Sequence, residues 1–303
     1  MKINTVKQKI TSGGTSIGTF IFEFNTTGIA RLAAQAGAEF AIFDMEHTGW
    51  NAETIRMLVA TSRSTALVPL VRIPATEYHF IASVLDMGAM GIMIPMCDTA
   101  EQAQKFVSCA KYPPVGRRGA AFTIAHDDYI SGNIVEKMSS ANSETLLIAQ
   151  IETMAGLENV DAIAGVEGID VLWIGQTDLS TSLGIPGQFD HPLFQDAVKK
   201  VVDACKRNNK TPGFMPLSIP EGKKFIDQGF RMLAYGGEMP KGKVIGATDS
   251  KGYGIKENPI ASSNLAASVF DHLDINLQSS WMDPTGRPRP IITGDARTVS
   301  QLS

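Results

Sequence analysis

Three chemically active side chains close one apolar run of the sequence. The segment 41–50, AIFDMEHTGW, begins like a buried strand and then carries Asp44, Glu46 and His47. An imidazole titrates near neutral pH, so His47 can take a proton from a substrate or from metal-bound water, and Asp44 can orient it. Glu46 is interpreted as support for the loop. The segment therefore predicts a general base at the end of a strand.

Arg72 closes another apolar run, LVPLVRI. A guanidinium is always charged and forked, so it can hold a carboxylate or stabilise an enolate oxygen that develops in a transition state. An alternative stays open at this point. Aspartate, arginine and histidine could form an ion network that only stabilises the rim of a barrel.

Two further carboxylates, Glu152 and Asp178, lie where apolar runs give way to loops. A pair of oxygen ligands suits Mg²⁺ or Mn²⁺, which keep several waters and leave positions for a chelating substrate, whereas zinc would want more nitrogen or sulfur. In the alternative to a metal site, Asp178 caps a helix and Glu152 forms a salt bridge in the barrel. Position alone supports the two interpretations equally.

The periodicity of the chain predicts the framework that positions these side chains. Short β-branched or apolar runs alternate with amphipathic segments, which is typical of repeated βα units. The predicted strands are 17–24, 40–45, 67–73, 91–96, 146–152, 171–176, 211–217 and 231–237, and the predicted helices include 27–37, 51–64, 77–88, 99–112, 155–166, 191–209 and 220–230. Eight such strands within roughly 240 residues indicate an α/β protein with a (β/α)8 TIM barrel. A doubly wound open sheet is less well supported, because no strand precedes a glycine-rich phosphate-binding turn.

In a TIM barrel the chemistry lies at the C-terminal ends of the strands. Five acidic, basic or imidazole side chains fall there on four predicted strands, which favours an active site over a structural network: Asp44, His47, Arg72, Glu152 and Asp178. The glycine- and proline-rich segment 112–133 is too long for an ordinary connection and predicts an active-site loop, from which His126 could reach the site.

The composition limits the classes of partner. The 303 residues are 44% hydrophobic and 19% charged with a net charge of −4 and no block of lysine or arginine, so small molecules are predicted as partners rather than nucleic acid or membranes. No apolar stretch approaches the roughly 18 residues of a membrane span, and the N-terminus lacks the apolar core of a signal peptide. A cytoplasmic location is therefore predicted. Cys97, Cys109 and Cys205 are interpreted as reduced, buried thiols.

The polar, turn-rich end of the chain differs in composition from the predicted barrel. We assign residues 1–254 to the barrel domain and residues 255–303 to a C-terminal extension. The extension is predicted to lie at a subunit interface or to be partly disordered.

Several motifs in order resemble one known family. The motifs are FAIFDMEH, VPLVRIP, LDMGAMGIMIPMCDTAEQAQKFVSCAKYPPVGRRG, LLIAQIET and GIDVLWIGQTDLSTSLGIPGQFDHP, which run from about residue 16 to residue 236. The chain resembles the HpcH/HpaI aldolases, which are metal-dependent class II pyruvate aldolases that include 4-hydroxy-2-oxoheptanedioate aldolase and 2-dehydro-3-deoxyglucarate aldolase. The resemblance implies a TIM barrel of the phosphoenolpyruvate/pyruvate type.

The resemblance also implies how the metal and the 2-oxo acid bind. It implies that Glu152 and Asp178 hold a divalent Mg²⁺, Mn²⁺ or Co²⁺ ion, which the 2-oxo acid chelates. Gln150 is implied as a hydrogen-bonding neighbour of this metal site. The substrate carboxylate is implied to lie in a cradle at Gly175, Thr177 and Asp178.

For the proton transfer, the resemblance implies that His47 is the base, that Asp44 orients it and that Arg72 steadies the keto oxygen as it becomes an enolate. Members of the family are commonly hexamers in which a C-terminal helix packs on a neighbouring subunit. A homo-oligomer, hexamer or trimer, is therefore expected.

These expectations define a leading function and two alternatives. The leading one is an aldolase that cleaves or forms 4-hydroxy-2-oxo acids through a pyruvate enolate, with an aldehyde as the second partner; no predicted strand contains a lysine, which favours the metal mechanism over a Schiff base. The first alternative is an oxaloacetate decarboxylase that adds the enolate to an acceptor, as in macrophomate synthase, a relative of the family. It stays open because Gln176 and Thr177 stand where the family usually has proline and alanine. The second alternative is a 2-oxo acid binding protein without turnover.

Overall fold

The computed structural model describes residues 2–236, 247–248, 255–257, 267–268, 276–282, 287–292 and 297–298. Eight parallel strands form a closed barrel in sequence order, which confirms the predicted fold. The strands are β1 Ser16–Ile21, β2 Phe40–Asp44, β3 Val68–Arg72, β4 Gly91–Ile94, β5 Leu146–Ile151, β6 Val171–Ile174, β7 Thr211–Phe214 and β8 Met232–Gly236. The barrel closes where β1 pairs with β8, with Ser16 opposite Met232.

Helices follow the strands on the outside of the barrel, except the first helix, which precedes β1. They are α1 Thr5–Thr11, α2 Ile29–Gln35, α3 Ala52–Ser62, α4 Tyr78–Asp86, α5 Ala100–Ala110, α6 Ile134–Glu144, α7 Met154–Glu158, α8 Val160–Ala164, α9 Gln176–Ser182, α10 Pro192–Arg207 and α11 Ile219–Asp227. The predicted helix 155–166 is two short helices, α7 and α8. Helices α1, α6 and α9 lie outside the predicted helices. Helix α1 adds Val6 and Ile10 to the cluster in the barrel interior.

The alternation of side chains along the strands decides which residues enter the barrel. In β2, Phe40 and Ile42 belong to the interior cluster, whereas Ala41 and Phe43 pack against the helices. Successive side chains of a strand point to opposite faces. The same parity therefore turns Asp44 inward at the end of β2.

The same rule applies to β3 and β5. Val68 and Leu70 precede Arg72 on the interior side, and Leu146 and Ile148 precede Gln150. The register places Asp44 directly opposite Arg72 on the neighbouring strand. Apolar layers thus fill the barrel up to its C-terminal end, where the inward positions become polar.

The prediction that segment 112–133 is an active-site loop is wrong for this chain. The segment joins α5 to α6 and β5, and connections from helix to strand lie at the N-terminal ends of the strands, opposite the site. Its Asp128 pairs with Arg63 at the C-terminal end of α3, with 2.7 Å between Oδ1 and Nη2. His126 is buried, and its Nε2 lies 2.7 Å from the carbonyl oxygen of Ala121. It therefore does not reach the site.

Two compact units divide the chain, Met1–Gly236 and Gly237–Ser303. The second contains two antiparallel pairs, β9 Ala247–Thr248 with β10 Ile255–Glu257, and β11 Ser280–Met282 with β12 Pro288–Pro290. The boundary predicted between residues 254 and 255 falls inside the second unit, and residue 254 lies outside the described residues, so that assignment stays a prediction. No helix in the described part of the chain has the length and apolar character to cross a membrane.

Candidate active site

Asp44 and Arg72 form a buried ion pair at the mouth of the barrel. Asp44 is fully buried, and its Oδ1 accepts a hydrogen bond from Arg72 Nε at 2.6 Å. The same carboxylate accepts the backbone N–H groups of Glu46 at 3.1 Å and of His47 at 3.0 Å. Asp44 therefore shapes the turn after β2 as well as holding the guanidinium.

The Arg72 guanidinium is held from several sides. Its Nη1 lies 3.0 Å from Glu46 Oε2, and its Cζ lies 5.1 Å from the centre of the Phe20 ring and 6.0 Å from that of Phe22. A planar cation between two carboxylates and above aromatic faces keeps one orientation. Arg72 thus presents a fixed positive charge at the barrel mouth.

His47 lies in the turn after β2 with an exposed imidazole. The carboxylate beside the ring is that of Glu46, whose Oε2 lies 3.6 Å from His47 Nε2. Asp44 contacts the backbone of His47, so any orientation that it imposes on the ring acts through the turn. Glu46, which was interpreted as support for the loop, thus also lies beside the imidazole. Burial raises the Glu46 pKa, and the nearby Arg72 charge opposes that rise.

Glu152 follows β5 and is almost completely buried. Its Oε1 accepts the backbone N–H of Met96 at 2.7 Å, and its Oε2 accepts Gln150 Nε2 at 2.5 Å. Burial raises the Glu152 pKa to about 7, and the negative charges of Glu46 and Asp178 add to the rise. The carboxylates of Glu152, Glu46 and Asp178 thus repel one another, and a bound cation would offset this repulsion.

Gly175 lies against the Glu152 side chain at the end of β6. A Cβ atom there would lie 2.3 Å from Glu152 Oε2 and 2.6 Å from Gln150 Nε2, which is too close for either contact. Only glycine fits without displacing the Glu152 carboxylate.

We expect Gly175→Ala to lower turnover by about 100-fold, because the added methyl group must push the Glu152 carboxylate out of place. Gly28→Ala is the matched control, since a Cβ at Gly28 meets nothing within 4 Å. Steady-state turnover of both variants checks this. Equal activity in the two would contradict the placement of Glu152.

Asp178 and Thr177 are exposed in the first turn of α9, which begins directly after Gly175. The N–H groups of a first helical turn have no intrahelical acceptor, so they can meet a substrate carboxylate. Gln176 is buried, and its Nε2 donates to the carbonyl oxygen of Met215 at 2.8 Å. The unusual glutamine thus ties α9 to the end of β7.

The residues present fit a hard divalent cation. Glu152 and Asp178 supply carboxylate oxygens, and the buried Gln150 Oε1 has no hydrogen-bond partner. Among the described residues, no cluster of three or more histidine, cysteine, aspartate or glutamate side chains could hold a metal. Two carboxylates completed by water or substrate oxygens are what Mg²⁺ and Mn²⁺ accept.

The raised pKa of Glu152 predicts how the metal-free protein responds to pH. Between the ordinary value of 4.5 and about 7 the folded protein binds more protons at this site than the unfolded chain, so the free energy of unfolding falls as pH rises through that window. The loss amounts to about 3 kcal/mol. Glu152→Gln should abolish this pH-dependent loss, whereas Glu53→Gln, at an exposed position, should leave it unchanged. Urea unfolding in EDTA at pH 5 and pH 8 measures the free energy of unfolding at each pH. If this free energy changed equally with pH in Glu152→Gln and Glu53→Gln, the raised pKa would not belong to Glu152.

The family model described as HpcH/HpaI aldolase/citrate lyase matches residues 17–241. The chain belongs to the HpcH/HpaI aldolase/citrate lyase family. This confirms the resemblance and makes the chain an aldolase-type carbon–carbon lyase. A second model, for a protein of unknown function (DUF1501), matches residues 217–302.

Relatives within the HpcH/HpaI family match the barrel over most of their length. The chain is 33% identical over 232 residues to the hydroxypyruvate/pyruvate aldolase of Roseobacter denitrificans, covering 77% of this chain and 90% of that protein. It is 34% identical over 233 residues to the 2-keto-3-deoxy-L-rhamnonate aldolase of Salmonella gallinarum, covering 77% and 86%. The crystal structure of the HpcH/HpaI aldolase from Desulfitobacterium hafniense matches with a TM-score of 0.74 at 33% identity, covering 77% and 90%. Macrophomate synthase matches with a TM-score of 0.69 at 27% identity, covering 77% and 83%.

Proposed function

We propose that the chain is a divalent-metal-dependent aldolase that cleaves or forms 4-hydroxy-2-oxo acids through a pyruvate enolate. The observation that carries this proposal is the pair of opposed charges at the barrel mouth. Glu152 and Asp178 bring negative charge to the mouth, and the Arg72 guanidinium, held by Asp44 and Glu46, is near enough to act on Glu152. A 2-oxo acid has an electron-rich chelating edge for the first and a keto oxygen that becomes negative for the second.

Each side chain has one part in this reaction. Arg72 meets the charge that grows on the keto oxygen, and it needs no reorganisation because Asp44 and Glu46 already hold it. His47 takes the proton that leaves the 4-hydroxyl group during cleavage, acting through water. Its exposure lets that proton pass to solvent.

The substrate carboxylate and the metal are assigned to β5, β6 and α9. The N–H groups of Thr177 and Asp178 receive the carboxylate, and Gly175 lets α9 begin close to Glu152 without displacing the Glu152 side chain. Glu152 and Asp178 would hold the ion. When bound, it supplies Lewis acidity that spreads the charge of the enolate.

Oxaloacetate decarboxylation is the second candidate function. It uses the same enolate, and the observation that favours it is the substituted first turn of α9. The Gln176 amide donates to the residue after β7, whereas the proline that the family usually has at this position would leave a small apolar surface. The side of the site that would receive the acceptor therefore differs from the usual family pattern.

A pyruvate-release assay separates these functions. The purified full-length protein, supplied with Mg²⁺, Mn²⁺ or Co²⁺, is given a panel of 4-hydroxy-2-oxo acids and oxaloacetate. We expect pyruvate together with an aldehyde from at least one 4-hydroxy-2-oxo acid. Pyruvate from oxaloacetate alone would support the decarboxylase. No pyruvate from any substrate would favour a protein that only binds 2-oxo acids.

We also propose a cytoplasmic homo-oligomer, hexamer or trimer. The three cysteines are free and buried, which suits a reducing compartment. Equilibrium sedimentation of the full chain tests the assembly, and a monomer at micromolar concentration would contradict it.

A further inference from the structure

Met96 has an unusual backbone conformation in the turn after β4. Its φ of 45° lies in the left-handed region, where the Cβ of an L-residue comes too close to the following carbonyl oxygen. The other described residues that are not glycine and have a positive φ lie at the opposite end of the barrel, in segment 112–133 or between α10 and β7: Thr123, Asp128, Tyr129 and Asn209. Strain of this kind persists where the surrounding structure enforces it, and it is frequent at functional sites.

The left-handed conformation accompanies two successive N–H groups that both face β5. The N–H of Met96 donates to Glu152 Oε1 at 2.7 Å, and the N–H of Cys97 donates to the carbonyl oxygen of Gln150 at 3.0 Å. In an extended strand such neighbouring groups alternate in direction, whereas a turn with a left-handed residue can aim them at one acceptor region. The turn after β4 thus contacts both the main chain and the carboxylate at the end of β5.

Contacts of Asp98 hold this turn in place. Its N–H donates to Gln102 Oε1 at 2.7 Å, and its carbonyl oxygen accepts a hydrogen bond from Asn159 Nδ2 at 2.8 Å. Its carboxylate accepts the hydroxyl of Thr153. These partners belong to α5 and to the two ends of α7, so the protein itself enforces the conformation of the turn.

The N–H of Met96 is one of two donors that fix the Glu152 carboxylate. The other donor is Gln150 Nε2, which contacts Oε2 at 2.5 Å. A carboxylate has about four lone-pair sites, so each oxygen keeps one for a cation. A backbone N–H cannot rotate away as a side-chain donor can. It therefore defines the position of the carboxylate before an ion arrives.

We propose, on the basis of the metal-dependent function above, that Met96 is a positioning residue whose strained backbone holds the Glu152 carboxylate in place for a divalent cation. The role belongs to the N–H group rather than to the side chain, which is 52% exposed. Substitutions that accept the left-handed backbone should therefore keep the cation site. Substitutions that resist it should weaken the site.

Mn²⁺ affinity separates the backbone from the side chain. Calorimetry on the full-length protein gives Kd for Met96→Gly, Met96→Ala and Met96→Ile. Glycine and alanine should retain the wild-type Kd. Isoleucine has a branched Cβ that disfavours positive φ, so it should raise Kd by roughly 10- to 100-fold.

Met154→Ile is the matched control for the isoleucine variant. Met154 is 48% exposed, close to the value for Met96, but it begins the helix α7. Its replacement should leave Kd unchanged. Equal Kd values in Met96→Ile and Met154→Ile would overturn the proposal. A weakened site in Met96→Ala and Met96→Gly would assign the effect to the side chain and would overturn it as well.

Thermal unfolding in EDTA measures the strain without any metal. At Met96 the Cβ of alanine is strained, so Met96→Gly should unfold about 2 °C above Met96→Ala. At the helical Met154 the order should reverse, because alanine favours a helix over glycine. If alanine were the more stable residue at both positions, Met96 would not be strained and the proposal would fail, even if Met96→Ile did not fold.

Binding by the wild-type protein separates this proposal from the metal-dependent function. If the wild type binds Mn²⁺ and Met96→Ile binds it equally well, the positioning role alone is refuted. If the wild type bound none of Mg²⁺, Mn²⁺ and Co²⁺, the metal-dependent function would be refuted, and the role of Met96 with it.

Discussion

Replacement of His47 by alanine is expected to lower aldol turnover by about 1,000-fold, within the usual range for loss of a general acid or base. The exposed imidazole lies 3.6 Å from Glu46 Oε2, and the Asp44 carboxylate is already used by Arg72 and by the backbone N–H groups of the turn after β2. Metal affinity should stay unchanged, because the predicted ligands come from β5 and α9. Turnover and Mn²⁺ binding by calorimetry are measured on the same sample.

His79→Ala is the matched control for this variant. His79 is exposed on α4 and lies beside Phe80, with 4.2 Å between ring centres. It should retain full turnover. Loss of Mn²⁺ binding in His47→Ala would mean that the histidine is a ligand rather than a base.

Replacement of Arg72 by alanine is expected to lower turnover by about 100- to 1,000-fold, as when a donor to a developing oxyanion is removed. The variant also leaves Asp44 fully buried without its cation, which costs about 3–5 kcal/mol of folding stability. Arg72→Lys keeps the charge but loses the fork that spans Asp44 and Glu46, so it should regain part of the stability and little of the rate.

Arg63→Ala separates the two effects of the Arg72 change. Arg63 forms a pair of similar length with Asp128 at the opposite end of the barrel, although Asp128 is exposed where Asp44 is buried. Its removal should lower the free energy of unfolding in urea while leaving turnover unchanged at low temperature. If Arg72→Ala behaved in the same way, Arg72 would be a structural residue of the rim.

Alternation along the strands explains how much of the site the sequence could predict. An inward position such as Ile42 is apolar because it fills the barrel, and the next inward position, Asp44, is polar because it reaches the mouth. The same change occurs from Ile148 to Gln150. Sequence therefore predicted the barrel and the strand ends at which polar side chains meet.

Contacts set by the turn after β2 could not be predicted. From the sequence, Asp44 is predicted to orient the His47 imidazole. In the structure the backbone N–H groups of the turn use the Asp44 carboxylate, and Glu46 lies beside the ring. This depends on backbone dihedral angles that residue types alone do not specify.

The error over segment 112–133 has a different cause. A long glycine- and proline-rich connection suggested a catalytic loop, because α6 was not recognised after it. Only Ala141 is buried in α6, so its apolar periodicity is weak. With α6 assigned, the segment becomes a helix-to-helix connection before β5, which belongs at the other end of the barrel.

Removal and return of the metal tests the central claim most directly. Pyruvate release from a 4-hydroxy-2-oxo acid is measured after dialysis against excess EDTA and again after addition of Mg²⁺, Mn²⁺ or Co²⁺. We expect activity to disappear and to return with at least one ion, and Glu152→Gln to remain inactive in both states. Unchanged activity in excess EDTA would contradict the assignment of Glu152 and Asp178 and, with it, the metal-dependent mechanism.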